Sequence, residues 1–446
     1  MVFDGGAPGV RCDGTNVRLW TSQRQVQGRL GGLNVCKIRG WVIMTYNCIS
    51  TVLVVAGMAF GAAIFSAGAA AQVTNGKSPV LPEPFATRSA GNAPEVVKPP
   101  EGFLPTAPKG FKVNVFATGF KEVRFLATAP DGDIFAADSG AGTIYVLRDK
   151  QHTGGAQRRE EFVSGLNRPF GIAFHQGFVY VGENDALVRF PYDAETSKRT
   201  GEKQTLLDLP RGGHWTRDVI FMPDGQHLLV TVGSDSNAAT GEDTRRAAIT
   251  ICDLDGANPR IYASGLRNPV TVALNPESGA VWTTVNERDG LGDDLPPDYF
   301  TAVQDGGFYG WPYSYIGDHV DPRVKPQRPD LVGKAIVPDV LLGAHHAPLQ
   351  FTFYTGTQFP QKYRGGAFIA EHGSWNRSQR AGYRVAFVAF QKGKPVAGPE
   401  EFLGGFVPDP GKAEVYGRPV GVTVAGDGSL LVSDDGANVV YRVSAQ

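Results

Sequence analysis

The feature that most constrains the fold is a recurring pattern of short apolar segments separated by glycine turns. Each unit begins with an apolar segment that ends in a Gly turn, then continues with a loop, two strands joined by a tight turn, and a further strand. Four of the opening segments are Phe116-Ala-Thr-Gly, Phe162-Val-Ser-Gly, Tyr262-Ala-Ser-Gly and Phe402-Leu-Gly-Gly. Pro-Asp-Gly and Gly-Asp-Gly join the paired strands, because glycine adopts positive φ without strain at Cβ.

The pattern recurs six times along the chain. The units begin near Phe111, Glu161, Lys203, Pro259, Val337 and Glu400. A spacing of about 40–50 residues, with longer insertions in the fourth and fifth units, is typical of propeller blades. No segment between the units has the pattern of a three-turn helix, so we predict an all-β, six-bladed β-propeller over residues 109–446. A β-sandwich is the alternative, but it does not explain the recurrence. In a propeller, loops from all blades meet around one axis and can form one site.

The first 71 residues differ from the rest and are predicted to be a leader. Residues 1–40 are rich in Gly and Arg, and Trp41–Ala71 is mostly apolar and ends in small residues. A positive flank, here Lys37 and Arg39, followed by an apolar run and small residues is typical of an export signal. We therefore expect cleavage near Ala71 and a periplasmic or secreted protein.

Two alternatives to this leader remain open. Translation starting at Met44 would shorten it, and Thr51–Ala71 is long enough to be an uncleaved membrane anchor. Residues 72–108 are rich in Pro, Ala and Gly, and we interpret them as a disordered linker without a fold of its own.

The net charge argues against a nucleic-acid partner, and the cysteine content argues against an intrachain disulfide. The leader holds six of the 43 Lys and Arg and two of the 44 Asp and Glu residues, so the remainder carries 37 basic and 42 acidic side chains, a net charge of −5. This opposes a nucleic-acid partner, which requires a basic surface. Cys12, Cys36 and Cys48 lie in the leader, so the mature chain has no intrachain disulfide. Cys252 lies within a segment, residues 248–254, that has a strand pattern, and we interpret it as a buried small apolar residue.

Polar motifs are concentrated between Gly265 and Pro312. Gly-Leu-Arg-Asn-Pro begins at Gly265, an acidic Gly-rich loop spans Asn286 to Asp294, and Gly-Phe-Tyr-Gly-Trp-Pro begins at Gly307. The first two motifs flank predicted strands, and rigid β-scaffolds carry functional residues on such loops.

In this order, the three motifs resemble the soluble PQQ-dependent sugar dehydrogenases. Residues 212–217, 371–377 and 417–421 resemble the L-sorbosone dehydrogenase group in particular, and the resemblance covers about 105–446. It implies a quinoprotein of carbohydrate metabolism that oxidises an aldose-like sugar or a sugar-derived aldehyde such as L-sorbosone. It also implies a six-bladed propeller, a periplasmic location, PQQ, and a calcium ion that holds the quinone.

The resemblance assigns the catalytic residues. His214 stands where the family carries its general base, and His is the natural base near neutral pH. Arg267 and Asn268 match the pair that faces cofactor and substrate, since a guanidinium binds carboxylates and stabilises charge on the reduced ring. The alternatives are a hydrogen-bonded turn His and an Arg that pairs across blades.

Further cofactor-binding residues are expected from stacking and carboxylate recognition. The candidates are Tyr309, Trp311, His372, Trp375, Arg377 and Arg418. The family uses a Lys near the position of His372, which this chain lacks. Blade packing or ordinary surface roles are the alternatives for this set. His345 and His346 are expected either to line the substrate pocket or to be solvated.

The acidic loop suits calcium, a hard cation that prefers oxygen ligands. The predicted ligands are Glu287, Asp289, Gly290, Asp293 and Asp294, with Asp289 and Gly290 contributing main-chain carbonyls by family correspondence. A solvated acidic loop is the alternative.

Two other function classes remain open at this point. One is a calcium-dependent lactonase or esterase on the same propeller, and the other is a non-catalytic propeller that binds a partner. For a dehydrogenase, the expected partners are a small sugar and a periplasmic electron acceptor, either a cytochrome or a quinone-linked protein. Membrane contact is expected only through an uncleaved leader.

Overall fold

The computed structural model describes residues 71–151 and 153–446, together with the backbone of five short strands near the N-terminus. The chain divides into two compact units, Met1–Ser66 and Ala67–Gln446. The first unit contains the pair Arg11–Asp13 and Asn16–Arg18, and a sheet of Gly28–Leu30, Leu33–Ile38 and Trp41–Thr45. Most of the apolar run predicted as an export signal or anchor lies outside the described residues.

The second unit is built from six antiparallel sheets, each with four main strands that we call a blade. Blade 1 consists of Val123–Thr128, Ile134–Asp138, Thr143–Arg148 and Arg158–Val163. Blade 2 consists of Ile172–His175, Phe178–Glu183, Ala186–Asp193 and Gln204–Asp208, with Lys198–Arg199 added. Blade 3 consists of Val219–Phe221, His227–Val232, Ala248–Asp253 and Arg260–Ser264, with Gly307–Phe308 added.

The other three blades follow the same plan. Blade 4 consists of Pro269–Leu274, Val281–Val285, Pro297–Ala302 and Val340–Ala344, with Gln72–Val73 added. Blade 5 consists of Pro348–Phe353, Ala367–Glu371, Arg384–Val388 and Glu400–Leu403. Blade 6 consists of Pro419–Val424, Leu430–Asp434, Val439–Ala445 and Phe111–Thr118. Minor elements are the strand pairs Ser314–Tyr315 with His319–Val320 and Phe390–Gln391 with Lys394–Pro395, the α-helix Pro329–Val332 and the 3₁₀ turn Gln361–Tyr363.

The predicted six-bladed, all-β propeller is confirmed, but the sequence repeat is offset from the blade by one strand. The unit predicted to begin near Glu161 starts with Arg158–Val163, which is the outermost strand of blade 1. Its remaining strands belong to blade 2. The offset arises because each outermost strand leads directly into the innermost strand of the next blade.

Both ends of the propeller sequence meet in blade 6. Phe111–Thr118 pairs with Val439–Ala445 along its whole length, from Phe111 opposite Ala445 to Thr118 opposite Val439. This antiparallel pairing closes the ring of blades.

Apolar side chains between the strands form the core. Aromatic rings are dense between blades 4 and 5, where Trp282, Phe300, Phe353 and Phe390 pack edge to face. Cys252 lies buried in blade 3, as predicted, and burial raises the pKa of its thiol to about 12. Within the described part of the chain, no helix is long and apolar enough to span a membrane.

Residues 72–108 have little regular structure but lie along the propeller. Gln72–Val73 pairs with the outermost strand of blade 4, Glu95–Val96 pairs in parallel with Glu414–Val415, and Thr106 bridges Gly404. This differs from the disordered linker that composition suggests. Exposed main-chain groups of the blades supply the hydrogen-bond partners that the segment lacks within itself.

Candidate functional site

The polar motifs meet at one end of the propeller. In blades 4, 5 and 6 the first residue of the innermost strand is opposite the end of the second strand, as Pro269 opposite Val285, Pro348 opposite Glu371, and Pro419 opposite Asp434 show. Loops before the innermost strands and after the second strands therefore lie together. All the predicted site residues except Tyr309 and Trp311 lie in these loops.

Five of the six blades have an arginine within four residues of the start of the innermost strand. These residues are Arg124, Arg168, Arg217, Arg267 and Arg418, and blade 5 has His346 near the same place. Sequence reasoning identified only two of the five. Aligning the repeats by their innermost strands would have revealed the others, since the motifs Arg-Pro-Phe-Gly and Arg-Pro-Val-Gly recur at Arg168 and Arg418.

His214 has the tautomer required of a base. Its Nδ1 lies 2.8 Å from the Ser234 carbonyl oxygen, which can only accept, so Nδ1 carries the proton and Nε2 keeps its lone pair. None of the described residues hydrogen-bonds to Nε2. Burial, with the nearby charge of Arg267, lowers the pKa of His214 to about 4. The imidazole is therefore neutral at pH 7.

The side chains of Asn268 and His214 lie close together because the residue packed between them in space, Gly233, has no side chain. A Cβ on Gly233 would lie 2.3 Å from Asn268 Oδ1 and 2.5 Å from His214 Cβ. Asn268 is buried, and its Oδ1 has no hydrogen-bond partner among the described residues. A buried acceptor without a partner is costly, and one close to the His214 side chain suits a ligand that donates a hydrogen bond.

Arg267 holds the site together. Its Nε donates to the Asn237 carbonyl at 3.1 Å, Nη2 to Asn237 Oδ1 at 3.0 Å, and Nη1 to the Glu287 carbonyl at 2.7 Å. Nη1 also reaches the Asn286 carbonyl, and Nη2 lies 3.5 Å from Asp289 Oδ2. Protein acceptors therefore engage the whole guanidinium, and its predicted contact with a cofactor stays a prediction.

Asn237 is a site residue that the sequence did not reveal. Besides accepting from Arg267, its Oδ1 accepts from the Asp289 N–H at 2.8 Å, and its Nδ2 donates to the Asp289 carbonyl at 2.9 Å. Its carbonyl accepts from the indole N–H of Trp311 at 3.0 Å. No motif surrounds Asn237, so only the fold identifies it.

The carboxylates predicted to bind calcium are held by separate protein partners, and calcium binding by this loop stays a prediction. The Glu287 carboxylate pairs with the fully buried Arg288 at 2.9 Å. The Asp294 carboxylate pairs with Arg377 at 2.6 Å. Within the described residues, no three His, Cys, Asp or Glu side chains could hold a metal ion together.

The two remaining carboxylates are also engaged by blade 5. Asp293 accepts from the main-chain N–H and hydroxyl of Ser378, and Asp289 accepts from Asn376 Nδ2. The Asp289 carbonyl accepts from Arg323 Nη1 at 2.7 Å as well as from Asn237. The two main-chain carbonyls predicted to bind calcium are those of Asp289 and Gly290. Of these, the Gly290 carbonyl alone accepts no hydrogen bond from the described residues. One free carbonyl is far from the six to eight oxygens of a calcium shell.

The adjacent histidines are both bound to protein rather than solvated. His345 is buried, donates from Nε2 to the Gly292 carbonyl at 2.9 Å, and accepts at Nδ1 from Asn376 at 3.1 Å. His346 Nδ1 lies 2.8 Å from Glu371 Oε2. His345 therefore fixes the acidic loop to blade 5.

His372 belongs to a cluster formed by three blades. Its Nε2 lies 2.8 Å from Asp435 Oδ1, and Arg124 pairs with the other oxygen of that carboxylate. Burial lowers the pKa of His372 to about 4. Burial alone would raise the pKa of Asp435, but His372 and Arg124 hold it well below its usual range. Arg418 donates to the carbonyls of His372 and Gly373 at 3.2 Å each.

Aromatic residues near the site differ in whether a ligand could reach their rings. Trp215 follows His214, and the Arg168 guanidinium lies 3.8 Å from its ring centroid, with Arg124 at 5.1 Å. The indole of Trp375 is exposed on the loop after blade 5's second strand. Tyr309 is fully buried in the blade core, and its hydroxyl donates to the Ala302 carbonyl at 2.8 Å, so it packs rather than stacks on a ligand.

The arrangement fits an anionic, planar group better than a bare metal ion. The positive charges of Arg267, Arg217 and Arg246 act on His214. Arg168 lies over Trp215, the residue after His214, and its Nη2 is 3.6 Å from Glu122 Oε1. Guanidinium groups bind carboxylates through two parallel hydrogen bonds. What the geometry offers is a base, a free acceptor, and several cations at one end of a propeller.

Comparisons with known proteins identify the family of the chain. The profile of the TrAA12-like family matches residues 105–296 and 331–446. An uncharacterized protein of Borreliella burgdorferi is 29% identical over 75% of this chain and 89% of its own length. A pyrroloquinoline quinone-dependent pyranose dehydrogenase of Coprinopsis cinerea is 23% identical over 75% of this chain, which spans only 54% of that protein.

Solved structures share the fold. The iodide structure of the Trichoderma reesei family AA12 enzyme superposes with a TM-score of 0.67 at 21% identity, covering 77% of this chain and 98% of that one. The holo form of the PQQ domain of the Coprinopsis cinerea pyranose dehydrogenase superposes with a TM-score of 0.65 at 20% identity, covering 79% and 99%.

Proposed function

Because this chain belongs to the TrAA12-like family of PQQ-dependent sugar dehydrogenases, we propose that it oxidises a sugar with PQQ as the hydride acceptor. The observation that carries this proposal is the pairing of His214, neutral and with a free Nε2, with the orphaned Oδ1 of buried Asn268. A sugar needs a base for the proton of the hydroxyl that is oxidised and an acceptor for a second hydroxyl, which orients the molecule.

Three residues of the chain have distinct roles in this reaction. Asn268 Oδ1 accepts a hydrogen bond from the substrate and orients it, and His214 Nε2 takes the proton of the hydroxyl being oxidised. Ser234 holds the His214 ring through Nδ1 and stabilises the imidazolium that forms. When bound, the quinone supplies the hydride-accepting carbon.

The cations at this end of the propeller would hold the quinone. PQQ carries carboxylates, and Arg418, Arg377 and Arg168 are partly accessible guanidinium groups on three different blades. The exposed indole of Trp375 offers a stacking surface. Arg267 acts indirectly, since it fixes the loop between Glu287 and Asp289.

Calcium is proposed to bind only together with PQQ. The loop offers one free main-chain oxygen, at Gly290, and its carboxylates already have partners, so a full shell needs oxygens from the quinone and water. Calcium alone should therefore leave the melting temperature of the PQQ-free protein unchanged. Chelation should abolish PQQ binding and calcium should restore it, measured by PQQ titration with and without chelator. Binding that survives thorough chelation would contradict this role for the metal.

The decisive test of function is reconstitution. Purified protein supplied with PQQ and calcium should reduce a dye when given a panel of aldoses, L-sorbosone and alcohols. We propose aldose-like sugars or sorbosone as substrates, and a periplasmic cytochrome or quinone-linked protein as the physiological acceptor. The diverging carboxylates of the acidic loop leave a calcium-dependent hydrolase without a metal-bound water, and hydrolysis of lactones without PQQ would reverse this assignment.

Export is proposed with cleavage near Ala71. Gln72 is the first residue of the strand that pairs with blade 4, so cleavage there leaves the propeller and its attached segment intact. We expect intact-mass analysis of the exported fraction to give a chain beginning near Gln72. A full-length chain recovered from the cytoplasm would contradict this proposal.

A further inference from the structure

Residues 83–97, which we call the strap, contact the same two loops that carry the candidate cofactor site. One loop, Asp289–Asp294, follows the second strand of blade 4, and the other, Ser374–Arg380, follows the second strand of blade 5. These loops already contact each other through the Asp294–Arg377 pair. The strap lies outside the propeller repeat that the sequence shows.

The first half of the strap binds the blade 4 loop. The Phe85 N–H donates to the Leu291 carbonyl at 2.7 Å, and Thr87 Oγ1 accepts from the Asp293 N–H at 2.9 Å. The approach is close, since a Cβ on Gly292 would lie 2.8 Å from Thr87 Oγ1. Thr87 therefore fixes the main chain of the acidic loop at Asp293. The carboxylate of this same residue accepts hydrogen bonds from Ser378.

The second half is held at Asn92, which uses all its polar groups. Its N–H donates to the Trp375 carbonyl at 2.8 Å, and Nδ2 donates to the carbonyls of Arg377 at 3.0 Å and Ser378 at 3.2 Å. In return, Arg380 donates to the Asn92 carbonyl at 2.8 Å and to Oδ1 at 3.0 Å. One side chain thus fixes the turn that presents Trp375 and Arg377.

The end of the strap is anchored away from the site. Glu95 donates from its N–H to the Ala413 carbonyl at 2.8 Å, and Val97 donates to the Val415 carbonyl at 2.9 Å. This anchor lies next to blade 6, so the strap links loops of three blades. Neither loop has a strand partner in the blades at these positions, and the strap supplies the missing hydrogen bonds.

From these contacts we infer that the strap is part of the dehydrogenase site, with Asn92 and Thr87 as positioning residues that hold the two cofactor loops in their binding shape. This inference rests on the proposed function for the identity of the ligand. It moves the functional N-terminal boundary from residue 109 to before residue 83. Asn92 and Thr87 act through Arg377, Trp375 and Asp293, so their loss weakens cofactor binding without removing a reacting group.

The test uses point variants in the full chain and two measurements. In the PQQ-free protein, Asn92→Ala should make the amides of residues 374–380 exchange hydrogen about tenfold faster, because three side-chain hydrogen bonds are lost locally. Titration with PQQ in the presence of calcium should then show about tenfold weaker binding, with turnover at saturating PQQ less affected. Thr87→Val, which keeps the shape and removes the acceptor, should act in the same way on residues 289–294.

Two further variants make the result specific. Asn92→Asp keeps the acceptor for Arg380 but loses the donors to Arg377 and Ser378, so it should weaken PQQ binding as Asn92→Ala does. Ser78→Ala is the matched control, because Ser78 lies N-terminal to the strap and donates only to Asp318 at 3.0 Å. The control should bind PQQ like the wild-type protein.

The possible results test the inference about the strap and the proposed function separately. Wild-type exchange rates and PQQ affinity in the Asn92 and Thr87 variants would overturn the inference, as would an equal loss of affinity in Ser78→Ala. Failure of the wild-type protein to bind PQQ would overturn the proposed function. In that case the exchange measurement still decides whether the strap holds the two loops.

Discussion

Replacing His214 with glutamine is expected to reduce turnover by a factor on the order of 10²–10⁴, the usual contribution of a positioned base. Glutamine can still donate to the Ser234 carbonyl, so the loop, the propeller and the affinity for PQQ should be retained. The lost property is the basic Nε2 of the imidazole. Steady-state dye reduction at saturating PQQ measures the effect.

The matched control is His227→Gln, also in blade 3. The imidazole of His227 is exposed and bound to Asp224, away from the polar end of the propeller. Its replacement should leave turnover unchanged. If reconstituted His214→Gln reduces dye at a rate near that of the wild-type protein, the base lies elsewhere and His372 is the next candidate.

The pH dependence of the wild-type protein tests the same assignment. A pKa lowered to about 4 means that the basic form of His214 is present throughout the neutral range and is lost only as pH falls through about 4. We therefore expect kcat/KM to be flat around pH 7 and to fall at the acid end. Loss of activity near pH 6.5, the ordinary value for His, would contradict the buried environment found for this ring.

Replacing Asp435 with asparagine is expected to lower the free energy of unfolding by about 3 kcal/mol, the range for breaking a buried ion pair. Arg124 and Asp435 are both nearly buried, so the change leaves the Arg124 guanidinium without its main counter-charge. His372 also loses its charged partner. Urea denaturation measures the difference.

Two comparisons make this second result specific. Asp305→Asn removes the partner of Arg260 in an exposed pair and should cost less than about 1 kcal/mol. The double variant Arg124→Met with Asp435→Leu removes both charges and should recover part of the loss. Equal losses for the buried and the exposed aspartate would contradict a structural role for the Arg124–Asp435 pair.

The propeller could be predicted because its signal is local and repeated. Each tight turn, such as Pro130-Asp131-Gly132, specifies a hairpin by itself, so six copies identify the fold. The Arg124–Asp435 contact has no such signal, because the two residues are 311 positions apart and meet only when the ring is complete. Their sequence neighbours give no indication of the partner.

The sequence indicates which residues lie at this end of the propeller, because residue type and motif are local, but it does not indicate which partners bind them. The acidic loop has the composition of a calcium site, yet Asn376, Arg377 and Ser378 from the next blade occupy its carboxylates. The motif around Arg267 predicts contact with a cofactor. In the structure Asn237, which lies in no recognisable motif, accepts hydrogen bonds from the Arg267 guanidinium. Composition likewise concealed the strap, since extended segments that pair with neighbouring main chain need no sequence pattern of their own.

The pairing of Phe111–Thr118 with Val439–Ala445 also sets the order of events during the protein's maturation. Blade 6 cannot form until the last strand of the chain has been synthesised, and Arg124 cannot reach Asp435 before then. A nascent or truncated chain therefore has no complete binding site, however well its first blades fold. Any ligand that needs the complete ring of blades can therefore bind only after this last strand has paired.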